Sequence, residues 1–292
     1  NYPAYLGKPS EKWDNIGNLV VPEGTQIQWE FKANQANNLT LKFGKKDIEA
    51  KKISNKTFTY ARMAKGSETY KIKLKNEFSE NKDEISYYIS VVPDRFPKIS
   101  MQEYQDTATY NYMSFGGNIS DDYGLSALKL YYKVVRKGKS QGFKTINISI
   151  NKDQSIQNFY YDLDLTQLRL KPGDFVEYYA QVWDNDGVNG AKSSRTSTMS
   201  FKIPSEEEMR DEIDKSAEET ENQIDKTLEK AKDLQNNMDD LKKRLLNKKK
   251  MDYNDKKLAE EILKKRQELQ EEIEKIKEKQ DIMNEKQERF DE

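Results

Sequence analysis

The chain holds 292 residues, 35% of them hydrophobic and 35% charged, with a net charge of −1; that balance excludes one large globular core and favours small domains joined to an elongated charged element. Cys and His are both absent, which removes thiol nucleophiles, disulfides, zinc fingers, His-based metal sites and Ser-His-Asp triads. The near-zero charge hides a segregation: residues 1–204 carry 29 basic and 23 acidic side chains, a net of +6, whereas residues 205–292 carry 21 and 28, a net of −7.

Residues 1–11 read as an N-terminal extension of a first Ig-like or fibronectin-like β-sandwich that runs to residue 93. In Thr25-Gln-Ile-Gln-Trp-Glu-Phe-Lys-Ala33, Thr25, Ile27, Trp29, Phe31 and Ala33 alternate with polar residues. A period of two gives one core face and one wet face. Val21-Pro22-Glu23-Gly24 is turn chemistry. The alternation returns at Leu39–Phe43, Phe58–Tyr60, Tyr70–Leu74 and Ile85–Val91, the spacing of an antiparallel sandwich. Trp29 reads as core filling rather than ligand contact. Val92-Pro-Asp-Arg-Phe-Pro97 is a short linker stiffened by two prolines.

A second Ig-like antiparallel sandwich follows over 94–204, with strands at 113–119, 128–135, 145–150, 159–163, 175–183 and 196–203. Two acidic loops stand out, Asp121-Asp122-Tyr123-Gly124 and Asp184-Asn185-Asp186-Gly187. Asp121, Asp122, Asp184 and Asp186 form a candidate metal site, since clustered carboxylate and amide oxygens suit Ca²⁺. The second loop does not follow the EF-hand pattern, and the same residues are also ordinary hairpin-turn chemistry. No other cofactor is implied. Tyr131, Tyr161 and Tyr179 fall on strand faces opposite the core, where they form either an interface or cross-strand pairs.

Residues 205–292 read as a helical coiled coil. Ser205 and Glu208 form a capping box. Ile213, Ala217, Thr220, Ile224, Thr227, Ala231, Leu234, Met238, Leu241 and Leu245 repeat at intervals of four and three, a heptad seam. The register breaks at Asn247–Asp255, with Asp252 a candidate N-cap. It resumes at Leu258, Ile262, Leu269, Ile273, Ile276, Met283 and Phe290. Two arms of about 44 and 40 residues, at 1.5 Å rise each, suggest an antiparallel hairpin with its tip near 247–253. A single continuous helix pairing in a dimer satisfies the same heptads. Residues 242–266 hold 11 bases against 4 acids, so Lys242, Lys243, Arg244, Lys248, Lys249 and Lys250 form a candidate partner-binding tip. One aromatic in that stretch and acid on both flanks argue against nucleic acid.

Taken in order, Leu19-Val-Val-Pro-Glu-Gly-Thr25, Val91-Val-Pro-Asp94, Ser120-Asp-Asp-Tyr-Gly-Leu125, Glu177-Tyr-Tyr179, Asp184-Asn-Asp-Gly187 and Pro204-Ser-Glu-Glu207 resemble a family of large Bacteroidota envelope proteins of unknown function. That resemblance implies Ig-like repeats, long helical segments, periplasmic placement and a membrane anchor upstream of Asn1. It implies no activity and no functional residues. Asp106-Thr107-Ala108 also resembles a short O-glycan acceptor motif of such proteins. The absence of an initial Met and the charged helical pattern at Glu292 fit a piece of a longer protein.

The sequence contains no nucleophile elbow, phosphate loop or metalloenzyme motif. The expected function is therefore non-catalytic: an extracytoplasmic architectural and interaction protein that docks an envelope partner, or itself, through 205–292 and the sandwich surfaces. The alternative is a glycan- or peptide-binding module that uses the acidic loops, with or without Ca²⁺.

Overall fold

The computed structural model describes residues 1–81, 84–246, 248 and 250–291, with side chains placed through residue 288. Among the described residues, seventeen strands precede two long helices. The first eight strands are β1 (Leu19–Pro22), β2 (Gln26–Lys32), β3 (Asn38–Phe43), β4 (Lys46–Glu49), β5 (Lys51–Ser54), β6 (Thr57–Met63), β7 (Glu68–Lys75) and β8 (Ile85–Val92). They form a five-stranded sheet, β1-β8-β7-β3-β4, and a three-stranded sheet, β2-β6-β5. All pairs in these two sheets are antiparallel except β1 with β8. The inward faces of the two sheets meet in one buried cluster that includes Val21, Trp29, Leu39, Leu41, Phe58, Tyr70 and Ile89. Trp29 sits at its centre, with ring centroids 5.5 Å from Tyr70, 5.8 Å from Tyr60 and 6.2 Å from Phe43. Its indole Nε1 donates to the Tyr70 hydroxyl at 3.2 Å, and that hydroxyl donates to the Gly17 carbonyl at 2.7 Å. The polar atoms of this aromatic core are thus satisfied.

The remaining strands are β9 (Lys98–Gln105), β10 (Tyr112–Ser120), β11 (Leu125–Arg136), β12 (Lys139–Ser140), β13 (Lys144–Ile148), β14 (Ile156–Asp164), β15 (Phe175–Asp184), β16 (Ser193–Arg195) and β17 (Met199–Lys202). Sheet β14-β10-β9 faces a larger sheet, β12-β11-β15-β16, to which β13 and β17 add. A second buried cluster fills the space between them, with Met113, Phe115, Leu128, Leu130, Val176, Tyr178 and Val182 among its members. β15 shows why the larger sheet is one-sided. Its burial alternates at every residue from Phe175 to Asp184, so the even-numbered positions point into the cluster and the odd-numbered ones outward.

Helix α1 (Glu206–Leu246) starts where the sequence places a cap. The Ser205 Oγ accepts from the Glu208 amide at 3.2 Å, and Glu208 Oε2 accepts from the Ser205 amide at 2.7 Å. That amide bond, with help from Lys202, holds the Glu208 carboxyl at about 2. A carboxylate depressed on folding contributes stability above its ordinary range near 4.5, and the contribution is lost as pH falls toward about 2. The Ser205 amide resonance is therefore expected to titrate near pH 2 in the native chain. In Glu208→Gln that titration disappears.

Helix α2 (Tyr253–Asp291) starts at a similar reciprocal pair. Asp252 Oδ1 accepts from the Asp255 amide and Asp255 Oδ2 from the Asp252 amide, at 2.9 and 3.1 Å. The two helices lie side by side and run in opposite senses. Glu212 meets Lys286 at 2.6 Å, Gln223 meets Lys279 at 3.5 Å, and Lys230 pairs with Glu272. Their base is rooted in the second β cluster, where Met209 is buried. Asn111 donates to Glu285 at 2.6 Å, and the Lys286 ammonium lies 5.0 Å from the Tyr110 ring centroid. Among the described residues no helix is long and apolar enough to cross a membrane.

Of the two heptad positions on α1, one is buried and the other is largely exposed. Thr220, Thr227 and Leu234, at intervals of seven, are buried. Ile224 and Met238, expected in the seam, are 45% and 50% exposed, while Ser216, Gln223 and Asn237 turn partly inward. The thin seam explains this. The buried threonines satisfy their own hydroxyls by donating to the carbonyls of Ser216 and Gln223, at 2.7 and 2.8 Å, so Thr fits here without a polar partner on α2. The side chain of Phe290 and the residues Asn247 and Lys249 lie outside the described residues.

Candidate functional site

The Val92–Pro97 linker, the β10–β11 turn and the β15–β16 loop converge at the junction of the two β units. Lys192, at the end of the β15–β16 loop, reaches into the middle. Its ammonium lies 2.6 Å from Asp94 Oδ2, 2.5 Å from Asp186 Oδ2 and 3.7 Å from Asp184 Oδ2. The side chain of Asp94 is 1% exposed, and those of Asp184 and Asp186 are 0% exposed. The second oxygens of the latter two serve the loop itself. Asp184 Oδ1 accepts from the amides of Asp186 and Lys192, and Asp186 Oδ1 from those of Val188 and Asn189. These are Asx-type loop bonds, the chemistry expected of such a sequence.

The neighbouring turn is built the same way, with Asp121 Oδ2 accepting from the amides of Tyr123 and Gly124 at 2.9 Å each. The Gly124 carbonyl in turn accepts from the Asn185 amide at 3.1 Å, which joins the two loops. The N-terminal segment closes over them. Asn185 donates its side-chain amide to the Tyr5 carbonyl at 3.2 Å, and the rings of Tyr5 and Tyr123 meet edge to face at 6.1 Å. Gly24 completes the contact. Its φ is +82°, and a Cβ there would come within 2.5 Å of Val188, so that position requires glycine twice over.

The electrostatics separate two kinds of carboxylate at this one junction. Burial disfavours charge on Asp186, but the Lys192 ammonium and two loop amides outweigh it and hold the carboxyl at about 2. On Asp94 burial wins over Lys192 and pushes the carboxyl up to about 6. Asp121 is also pushed up, by burial first, against its two amide bonds. Lys192 is raised, since its two close carboxylates overcome the cost of burying it. The difference lies in the second oxygen. Among the described residues, five buried side-chain atoms have no hydrogen-bond partner, and four of them are here: Asp94 Oδ1, Asp121 Oδ1, Asp184 Oδ2 and Asn185 Oδ1.

Of the four metal candidates read from the sequence, Asp121 and Asp122 stay together as potential ligands. One carboxylate oxygen from each lies within 4.8 Å of the other and of an Asp94 oxygen. Asp184 and Asp186 hold Lys192 instead. Sequence reasoning missed Asp94, placed in the linker, and Lys192. The signal for Lys192 was a single base closing an acidic loop, Asp184-Asn-Asp-Gly-Val-Asn-Gly-Ala-Lys192.

The aromatic face and the helical tip are the other two candidate regions. Tyr131 and Tyr179 are direct cross-strand partners and stack at 4.8 Å with 10° between planes. Lys129 lies over Trp183, Lys133 over Phe143 and Arg195 over Tyr179, at 5.3, 4.8 and 4.9 Å. These rings spend their faces on one another and on cations of the same chain. At the far end of the helices, Met238, Leu241, Lys242, Leu245, Leu246 and Ile262 line an open apolar groove of about 400 Å³. Lys243 and Lys250 are exposed beside it, Arg244 pairs with Asp240 at 2.8 Å, and Lys248 pairs with Asp252 and Asp255 at 2.6 and 2.9 Å. Thr107 of the glycan-like motif is exposed, while Asp106 is buried and holds the turn through the amides of Ala108, Thr109 and Asn111.

No family model matches the sequence, and no curated protein matches it. Among solved structures, the chain is similar to a Bacteroides uniformis protein provisionally assigned to carbohydrate binding, at 12% identity and a TM-score of 0.27, over 63% of this chain and 97% of that one. It is also similar to the fibronectin(III)-like modules of Clostridium thermocellum CbhA, at 12% identity and a TM-score of 0.23, over 66% and 92%. A likeness this slight says nothing about function.

Proposed function

We propose that this chain is a non-catalytic interaction protein of the cell envelope, in which two tandem Ig-like sandwiches, 1–93 and 94–204, carry a coiled-coil hairpin, 205–292, that docks a partner protein. One observation carries the reading: an apolar stripe along α1 that no described residue covers. Ile224, Leu228 and Met238 are each about half exposed, and Leu246 is 76% exposed at the rim of the distal groove. Apolar area arranged at helical spacing beside a groove is the surface an amphipathic helix seats on. The bases at the tip set the complementary charge, so the partner segment is an amphipathic helix flanked by acidic residues. Rooting of the helices in the second β core supports an arm held in a fixed direction. The order of motifs that resembles the Bacteroidota envelope family is consistent with periplasmic placement.

Capture from an extract of the source cells tests this, with the intact chain compared against a Met238→Glu/Leu246→Glu variant. Both positions are exposed, so the fold survives. The expected result is one protein species retained by the native chain and depleted at least tenfold by the variant. Equal capture by both overturns the helical docking reading.

A further inference from the structure

We infer that the junction between the two β units binds one hard divalent cation, Ca²⁺, on Asp94, Asp121 and Asp122. The inference is independent of the docking reading. Three facts meet at this point. First, the three carboxylates come from the linker and the β10–β11 turn and place one oxygen each within 4.8 Å of one another. Second, the buried oxygens there are left unsatisfied. Asp94, with a side chain 1% exposed, gives Oδ2 to Lys192 and has no partner for Oδ1. Asp121 gives Oδ2 to two amides and has no partner for Oδ1. The adjoining loop adds Asn185 Oδ1, also buried and without a partner. Native structures rarely leave buried acceptors in that condition, and an ion is one of the things that satisfies them. Third, acid outnumbers base: Lys192 is shared by Asp94, Asp184 and Asp186, while Asp121 and Asp122 lie beside Asp94 and form no ion pair among the described residues.

The donor set fixes the class of ion. It is all oxygen, carboxylate with an amide carbonyl at hand, and oxygen donors suit a hard cation rather than a softer metal. Asp122 is exposed, so water completes the coordination on that side. Ca²⁺ accepts an irregular set of carboxylates, carbonyls and waters, whereas Mg²⁺ demands near-octahedral geometry. Lys192 holds Asp184, Asp186 and one oxygen of Asp94, and leaves Asp94 Oδ1, Asp121 Oδ1 and Asp122 to the ion. A cation bound there ties the linker to the second unit and fixes the angle between the units.

Terbium luminescence and calorimetry on the whole chain decide the matter. Tyr5 and Tyr123 lie against this cluster and would sensitise Tb³⁺ emission. The expected result is a single Tb³⁺ per chain whose emission Ca²⁺ displaces. Calorimetry should show Ca²⁺ binding that Asp122→Asn weakens by at least about tenfold, and Ca²⁺ but not Mg²⁺ should raise the melting temperature. In Tyr5→Phe/Tyr123→Phe the emission should fall while calorimetric Ca²⁺ binding persists. Absence of Ca²⁺ binding overturns the inference, and so does Ca²⁺ binding that Asp122→Asn leaves unchanged, which would place the ion elsewhere.

Discussion

Replacing Lys192 with Met is expected to cost the chain about 3–5 kcal/mol of unfolding free energy, the range measured when one partner of a buried ion pair is removed. Met keeps the length and much of the volume of the lysine but leaves Asp94, Asp184 and Asp186 facing one another, with side chains at most 1% exposed and the central charge gone. The figure is large because three buried carboxylates would lose the cation they share. A matched control shows the contrast. Lys71 pairs with Glu84 at 2.5 Å, but these side chains are 41% and 31% exposed, so Lys71→Met should cost less than about 1 kcal/mol. Urea unfolding in the presence of a chelator measures both without interference from bound metal. A cost for Lys192→Met as small as that of the control would mean that the junction is not held by charge.

The second large effect belongs to the first β unit. Trp29→Ala is expected to lose about 3–5 kcal/mol, the usual result of deleting a buried aromatic. The indole packs against three other rings and is a link in the chain of bonds from Trp29 through Tyr70 to the Gly17 carbonyl. Trp29→Phe keeps one ring's packing and loses the donor and the volume of the second ring, so about 1–2 kcal/mol of the loss should remain. Urea unfolding followed by far-ultraviolet circular dichroism reports both. Near-native stability in Trp29→Ala would return that residue to the list of ligand contacts.

Trp29 also shows what the sequence made legible. Its strand alternates with one buried and one wet face, a signal that needs no knowledge of the partner strand. The capping box at Ser205 and Glu208 was equally readable, because all its partners lie within four residues. What stayed hidden depends on distant pairing. β1 runs parallel to β8 across 70 positions of sequence, Leu19 beside Ile89, and no local pattern announces that. Asp94 reads as a linker residue until the fold brings it to Asp121 and Lys192. The helical seam was misread at Ile224 and Met238 for a different reason. Heptad spacing shows which positions are apolar, but two apolar stripes on one helix compete for the seam. Which one is buried depends on how closely the second helix approaches.

That leftover stripe is the centre of the functional account, and amide hydrogen exchange of the intact chain with its captured partner bound tests it most directly. New protection is expected over residues 224–246 and 258–263, with little change in the β units. Protection confined to the loops at 121–124 and 185–190, with the helices unchanged, would contradict it and would place the binding surface at the end of the second β unit.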